Sequence, residues 1–414
     1  MTCAILSIGT EITRGELVNT NAAWLSAALT DLGFEVTEQV SVDDDTPRIV
    51  ATLDRLARSA KIIVATGGLG PTTDDLTTSA VASFLGVPLE RDAGSLDHIR
   101  RRFERAGRTM SPSNEKQADF PRGATVLANP VGTAPGFEVT LPPSGARTFF
   151  MPGVPREMKR MFEEQVAPRI RDLSPNDSHQ IRFRTFGLPE SVVGEKLAGI
   201  EGAHPGVTIG YRAHFPEIEV KVLARTQAGT AAEARDLASA AAAEVRERLS
   251  DVIYGEADDT FPGVVGRELR TRGYKLAVAE SCTGGLVGHL LTREPGASDF
   301  LLLDAVTYAN SAKQAVLGVD EDVLRGHGAV SGEVAARMAE GARRVSGADV
   351  ALAITGIAGP GGATDTKPVG LVYLAVATAK GTTVKERIFP FSERTQIQTV
   401  AAYAGLQLVR EACR

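Results

Sequence analysis

The chain has 414 residues, 43% of them apolar and 5% aromatic, with a net charge of −6. At roughly 150 residues per domain this length predicts two or three domains, and the acidic balance excludes the global electrostatic footprint of a nucleic-acid binder. Three cysteines, Cys3, Cys282 and Cys413, make neither a disulfide framework nor a metal-ligand spacing, so a reducing cytoplasm is expected, and no apolar stretch reaches the ~20 residues of a membrane span.

In chain order, Cys3–Ile8 predicts a strand with no basic region or cleavage-like site around it, so no leader is expected. Asn21–Leu32 predicts a helix with Trp24, Leu25, Ala28 and Leu29 inward, and Glu35–Val42 a second strand. Thr46–Arg58 predicts a helix capped by Asp45 or Thr46, with Pro47 in its first turn. Lys61–Ala65 predicts a third, buried strand. Strands alternating with helices imply a parallel sheet. A polar, proline-containing stretch covers Ser111–Pro121, Thr148–Met151 predicts another strand, and Arg156–Gln165 a helix. Leu173–Ser178 reads as a linker. Beyond it, Gln180–Phe186 and Glu217–Ala224 alternate apolar with polar residues, and Ala231–Leu249 is an alanine-rich helix, together a small α+β module. Gly255–Thr260 predicts the next linker. The α/β alternation then resumes: helix to Arg272, strand Lys275–Ala279, helix Gly284–Thr292, strand Leu301–Tyr308, helix Gly332–Val345, strands Asp349–Ile354 and Leu371–Thr378, and helix Gln396–Glu411. The expected fold class is therefore α/β, with domains at 1–170 and 258–414 joined by the module at 178–255.

Two strand ends carry chemistry. Ala279-Glu280-Ser281-Cys282-Thr283-Gly284-Gly285 places a hydroxyl and a thiol where a strand hands over to a helix, a position that can present a nucleophile and supply oxyanion donors. Ser281 and Cys282 are rival nucleophiles; the nearest histidine, His289, is about two helical turns along. Lys313 is the candidate base, useful only if its pKa is lowered. Thr355-Gly356-Ile357-Ala358-Gly359-Pro360 follows another strand, and its glycines allow close backbone approach to a ligand. It does not have the GxxxxGK[ST] form of a phosphate loop. In the first third, Thr66-Gly67-Gly68-Leu69-Gly70 with Asp74 and Asp75 suits a phosphate or pyrophosphate held by backbone donors and a cation-binding carboxylate. Asp43, Asp44 and Asp45 end the second strand at the same expected edge, and Glu11 is a further candidate ligand.

These segments resemble known families. The run Ala279–Gly285, Tyr308–Lys313, Gly328-Ala329-Val330-Ser331, Thr355–Pro360 and Lys367-Pro368-Val369-Gly370 are similar to the PncC, or CinA C-terminal, family. The resemblance implies hydrolysis of the carboxamide of nicotinamide mononucleotide to nicotinate mononucleotide and ammonia. It implies a Ser281–Lys313 pair with Tyr308 as a supporting hydroxyl, and substrate contacts at Thr283, Gly284, Gly285, Thr355, Gly356, Ala358 and Gly359. No cofactor is implied there. One departure is visible: relatives often carry two glycines where Leu303-Asp304 stands.

Gly9-Thr10-Glu11, Asn19-Thr20-Asn21, Thr66–Asp75, Asn129 with Gly132–Gly136, and Pro152–Met158 resemble the MoaB/MogA-like molybdopterin-binding fold of CinA proteins. In some relatives this domain cleaves ADP-ribose with a divalent metal, magnesium or cobalt, and potassium. The resemblance places metal at Asp75 and Asp44 and substrate at Thr66, Gly67, Gly68 and Gly70. The middle module resembles a KH domain; Gly199-Ile200-Glu201-Gly202 has GxxG form, but its glutamate argues against a phosphate clamp, and a structural or dimer-forming role is expected. The implied partners are small nucleotides, with no membrane, no nucleic acid and a homodimer. The alternative is a non-catalytic nucleotide-binding protein tied to competence or DNA damage, or a molybdopterin-related role for the first domain.

Overall fold

The computed structural model describes residues 2–174, 176–227 and 230–414. Pro175, within the expected linker Leu173–Ser178, lies outside them. The chain divides into two compact units, Met1–Gln180 with Leu223–Ala238, and Ile181–Val222 with Ser239–Arg414.

The first unit contains strands β1 (Thr2–Ile8), β2 (Glu35–Val42), β3 (Ile62–Thr66), β4 (Leu89–Arg91), β5 (Asp119–Pro121), β6 (Thr125–Leu127), β7 (Gly136–Leu141) and β8 (Ala146–Met151). Six of them form one sheet in the order β2-β1-β3-β8-β7-β6. β1 pairs in parallel with β2 and β3, and β3 in parallel with β8. The wholly parallel sheet expected from the alternation stops at β8, because β7 and β6 return antiparallel. β6 is only three residues long, whereas β7 does alternate Phe137, Val139 and Leu141 with polar residues; with no helix between β7 and β8, a reading that looks for strand–helix alternation passes over both. β1 and β3 are buried on both faces. Cys3 and Ile5 enter one core cluster while Ala4, Leu6 and Ile8 enter the other, the period-2 alternation of a strand covered on both sides. The helix Thr20–Asp31 is capped by Asn19, and Thr46–Ser59 by Asp45, whose carboxylate accepts from the Arg48 N–H.

β9 (Asn176–Phe186), β10 (Val207–His214), β11 (Glu217–Gln227) and β12 (Ile253–Glu256) form a four-stranded sheet in the order β10-β11-β9-β12. β12 occupies part of the stretch expected as a linker, pairing antiparallel with β9 from Ile253 opposite Thr185. In the GxxG segment, Glu201 accepts the Ile209 backbone N–H and Ile200 is buried, so that turn is committed to internal packing.

In the second unit β13 (Leu276–Glu280), β14 (Leu301–Val306), β15 (Val350–Gly356), β16 (Leu371–Thr378) and β17 (Gly381–Ile388) order as β14-β13-β15-β16-β17. β14 and β15 flank β13 in parallel; β16 and β17 run antiparallel. One face carries Leu276, Val278, Leu352 and Ile354 under the helices Phe261–Arg272, Leu286–Thr292 and Arg394–Ala412. The other carries Ala277, Ala279, Ala351, Ala353, Ala375 and Ala377. A face built mainly of alanines, with Leu303 and Tyr373 packed at it, lets the helix Gly332–Ser346 sit close. Phe186, Tyr254, Phe261 and Tyr403 stack in one aromatic group, with ring centroids 4.8 to 5.5 Å apart. Among the described residues no helix is long and apolar enough to cross a membrane.

The close approach extends to the helix Asn310–Leu317, which bears Lys313. A Cβ at Gly341 would meet the Leu317 carbonyl oxygen at 2.1 Å, and Arg344 donates to that same oxygen at 2.8 Å. Gly341→Ala is therefore expected to push these two helices apart and destabilise the protein by about 1–3 kcal/mol, the usual range for overpacking. Denaturant unfolding compared with the wild type measures it.

Candidate functional sites

In both units the first strand sits between the next two strands of parallel direction, so the chain departs to opposite sides of β1 and of β13. That is the switch point at which open α/β sheets bind ligands. The loops that the sequence singled out gather there: Gly9–Glu11, Asp43–Asp45 and Thr66–Asp75 in the first unit, and Ser281–Gly285, Thr307–Tyr308 and Thr355–Gly359 in the second.

Ser281 follows β13 directly, and its N–H donates to the Ile354 carbonyl at 2.9 Å. Lys313 is completely buried. Its Nζ lies 3.0 Å from Ser281 Oγ and donates to the carbonyl oxygens of Thr307 at 2.6 Å and Tyr308 at 3.2 Å. Among the described residues no carboxylate pairs with it. Burial disfavours the ammonium and holds its pKa below the ordinary lysine value. A neutral amine has two N–H bonds and one lone pair; the two carbonyls take the former, which turns the latter to the serine hydroxyl.

The rivalry with Cys282 has a physical resolution. The Cys282 side chain packs into the apolar core, and burial pushes its thiol up to about 12. Thiolate is therefore scarce near neutrality. His289 lies exposed on the following helix. Tyr308 is 62% exposed, and its hydroxyl accepts from Arg394 at 3.0 Å rather than contacting Ser281; it is the Tyr308 carbonyl that meets Lys313. Arg394 also donates to the Gly359 carbonyl at 2.8 Å, tying the Thr355–Gly359 loop to the Tyr308 segment. Thr355 donates to the Ala329 carbonyl at 2.8 Å, and a Cβ on Gly356 would meet the Leu371 carbonyl oxygen at 2.7 Å.

The turn itself rests on Glu280, fully buried at the end of β13. Its two carboxylate oxygens accept the N–H groups of Gly285 and Gly288, each at 3.0 Å. Gly284 and Gly285 have φ of 65° and 97°, in the region where glycine carries no Cβ penalty. The Gly284 N–H goes back to the Ser281 carbonyl. Among the described residues the N–H groups of Cys282, Thr283, Ala358 and Gly359 donate to no other residue. The buried hydroxyl oxygen of Thr283 has no hydrogen-bond partner. Of the residues expected to contact substrate, Thr283, Ala358 and Gly359 thus have uncommitted donors, whereas the N–H groups of Gly284 and Gly285 are occupied internally. Glu280 and Arg394 were not singled out from the sequence. Glu280 makes its bonds five and eight residues on, and Arg394 reaches Tyr308 across 86 residues.

In the first unit a cavity of about 730 Å³ is lined by Gly9, Glu11, Asn21, Asp44, Thr66, the Gly67–Pro71 turn, Asp74, Asp75 and Glu157, among others. Thr66 is buried at the end of β3. Gly67 and Gly68 have φ of 103° and 65°, and a Cβ on Gly67 would meet the Ile8 carbonyl oxygen at 1.9 Å. The N–H groups of Gly68, Leu69 and Gly70 donate to no other described residue, giving three consecutive free donors. Such a nest favours an anion. Asp75 accepts from the Thr72 N–H at 2.8 Å and from its hydroxyl. The three consecutive aspartates separate by role: Asp43 pairs with Arg48 at 2.8 Å, Asp44 accepts from Thr10 N–H and hydroxyl at 2.8 and 2.9 Å, and Asp45 caps a helix. Asp44 and Asp75 each keep one carboxylate oxygen clear of these bonds. Among the described residues no group of three or more His, Cys, Asp or Glu side chains is placed to hold a metal ion. A donor set of one or two carboxylates fits magnesium completed by water and substrate phosphates, and it does not fit an all-protein cage.

Residues 258–413 match the CinA C-terminal domain, 4–172 the probable molybdopterin binding domain, and 180–255 the damage-inducible protein CinA KH domain. A CinA-like protein of Geobacter sulfurreducens is 44% identical over 412 residues, covering 99% of this chain and 98% of the relative. One from Anaeromyxobacter sp. strain K is 44% identical over 420 residues, covering all of both. The crystal structure of the competence/damage inducible protein CihA from Agrobacterium tumefaciens is 37% identical, covers 38% of this chain and 98% of its own, and has a TM-score of 0.36. With identity sustained from one end to the other and all three domain matches in order, the chain belongs to the CinA-like protein family.

Proposed function

We propose that the second unit hydrolyses the carboxamide of nicotinamide mononucleotide, giving nicotinate mononucleotide and ammonia. The observation that carries this reading is the buried Lys313 amine, 3.0 Å from Ser281 Oγ and without a counter-ion. Neutral Lys313 takes the Ser281 proton as the oxygen attacks the carboxamide carbon. The oxyanion forms beside the free N–H groups of Cys282 and Thr283. Lys313 then returns the proton to the departing nitrogen as the C–N bond breaks, releasing ammonia and leaving an ester on Ser281. Water, deprotonated by Lys313, then adds to the acyl carbon; the C–O bond to Ser281 breaks, Lys313 returns the proton to Ser281 Oγ, and the acid leaves as its carboxylate. No cofactor enters this sequence.

Ser281→Ala is expected to lower ammonia release from nicotinamide mononucleotide by at least about a thousandfold, since nucleophile and base act as a unit. Cys282→Ala should keep most of the rate; the reverse pattern would assign the thiol as nucleophile. Circular dichroism of both variants separates loss of chemistry from loss of fold.

The base role fixes a pH dependence. The Lys313 pKa is depressed by burial, so the neutral, working form grows in as pH rises through that lowered value. The acid limb of kcat should therefore rise with pH. Lys313→Arg should lose about a hundredfold or more, because guanidinium stays protonated, with KM changed far less than kcat. An Arg variant with most of the wild-type kcat would reduce Lys313 to a substrate contact.

A specific observation supports a second activity, the metal-dependent cleavage of the ADP-ribose pyrophosphate in the first unit. The nest at Gly68, Leu69 and Gly70 offers donors to a phosphate, and Asp44 and Asp75 line the same cavity. These two carboxylates would hold a divalent ion, which would neutralise charge on the pyrophosphate as its P–O bond is cleaved by water. Asp75→Ala is expected to abolish AMP release from ADP-ribose and spare the amidase. A chelator should do the same. An amidase silenced by chelator would contradict the separation of the two sites.

A further inference from the structure

Beneath the Ser281 turn lies a feature that the amide-cleavage chemistry leaves unused. Asp304, on β14, stands beside Glu280 on β13, the two strands running in parallel with Val278 opposite Asp304. Glu280 is withdrawn from water entirely and Asp304 in part. Glu280 is fully buried, and Asp304 Oδ1 is buried without any hydrogen-bond donor. Each Glu280 oxygen already accepts one backbone N–H. The fit is tight: a Cβ on Gly288 would lie 1.8 Å from Asp304 Oδ2, so only glycine at 288 leaves room for this carboxyl. Two adjacent carboxylates, one buried and one partly so, with no cation between them among the described residues, are strongly unfavourable, and a single proton shared across the pair relieves both the repulsion and the orphaned oxygen.

We infer that Asp304 is a positioning residue for the Ser281 turn: it stays protonated and donates to Glu280, which keeps the Glu280 carboxylate on the Gly285 and Gly288 N–H groups. The inference deepens the amidase reading and rests on it for its kinetic arm alone. Among the described residues Glu280 is the charge that bears on Asp304, and neither His289 of the overlying helix nor Lys313 of the helix Asn310–Leu317 supplies a counter-charge. Burial first, and then the Glu280 charge, raise the Asp304 pKa to about 7. The folded state therefore holds this proton more tightly than the unfolded chain, whose aspartates titrate near ~3.9. The associated stability is fully present below that unfolded value and is lost as pH rises through the folded value, so that it is gone above about pH 8. Once the proton leaves, the two charges repel and the hold on the turn weakens.

Asp304→Asn keeps a donor beside Glu280 but cannot ionise. Thermal unfolding of the full chain should show the wild type losing roughly 5 °C or more relative to D304N between pH 5 and pH 8. A difference flat to within about 1 °C over that range overturns the proposal. Should D304N fail to fold, Asp304→Gly, which deletes the second carboxyl, must show the same pH-dependent difference. In the kinetic arm, wild-type kcat on nicotinamide mononucleotide should fall on the alkaline side, while D304N should keep rising along the Lys313 limb. Identical alkaline limbs would also overturn the proposal. A wild type without amidase activity refutes the amidase reading instead, and the unfolding difference then decides the Asp304 proposal by itself.

Discussion

A buried, uncompensated amine is the constraint around which the second unit is organised. Taking a lysine out of water without a carboxylate costs several kcal/mol if the charge is kept, and the group escapes that cost by giving up its proton. The surroundings of Lys313 fit this outcome: two backbone carbonyls for its N–H bonds, one hydroxyl, and no acid. The packing that makes this burial possible is unusual in its materials. The sheet face below the helix Gly332–Ser346 is built mainly of alanines, and Gly341 admits the Leu317 carbonyl, so the lysine-bearing helix is held against the helix Gly332–Ser346 at a distance that larger side chains would forbid. The chemistry of Ser281 thus depends on residues that have no chemistry of their own.

The two units solve a similar placement problem with opposite electrostatics. At Gly68–Gly70 the backbone donors are left open and Asp44 and Asp75 line the same cavity, an arrangement suited to an anion with its own cation. At Ser281–Gly285 a buried carboxylate already occupies the donors of the last glycine and of the helix behind it. What remains is a pair of N–H groups beside the nucleophile. The same strand-end location thus leaves three consecutive backbone donors open in one unit and a serine–lysine pair beside two open donors in the other, with the acidic side chain at the cavity in the first case and under the turn in the second.

How legible this was in the sequence depended on the range of each interaction. Ser281, Thr66–Gly70 and Thr355–Gly359 announce themselves because strand, glycine turn and helix are consecutive. The core strands β1, β3, β13 and β15 are legible from their apolar runs. β17 is not, since its side chains are mostly exposed and follow no clean alternation. The antiparallel returns at β7 and β16 escape a reading based on βα alternation, because strand direction is a property of the whole sheet. Asp44 and Asp45 look equivalent in a row of three; only the three-dimensional neighbours, Thr10 for one and the Arg48 N–H for the other, distinguish ligand candidate from cap. Tyr308 was expected to act through its hydroxyl, and the fold instead gives that hydroxyl to Arg394, a residue 86 positions away that no local pattern could connect.

The carboxylate of Glu280 has a bearing on turnover as well as on architecture. A carboxamide is neutral and the acid made from it is not. On the proposed amidase reading, a carboxylate held on the Gly285 and Gly288 N–H groups beneath the Ser281 turn would leave the neutral carboxamide group almost untouched and would disfavour the carboxylate made from it, because charges in a protein interior are poorly screened. On that reading, the support that shapes the nucleophile's perch would also help to eject what the nucleophile makes.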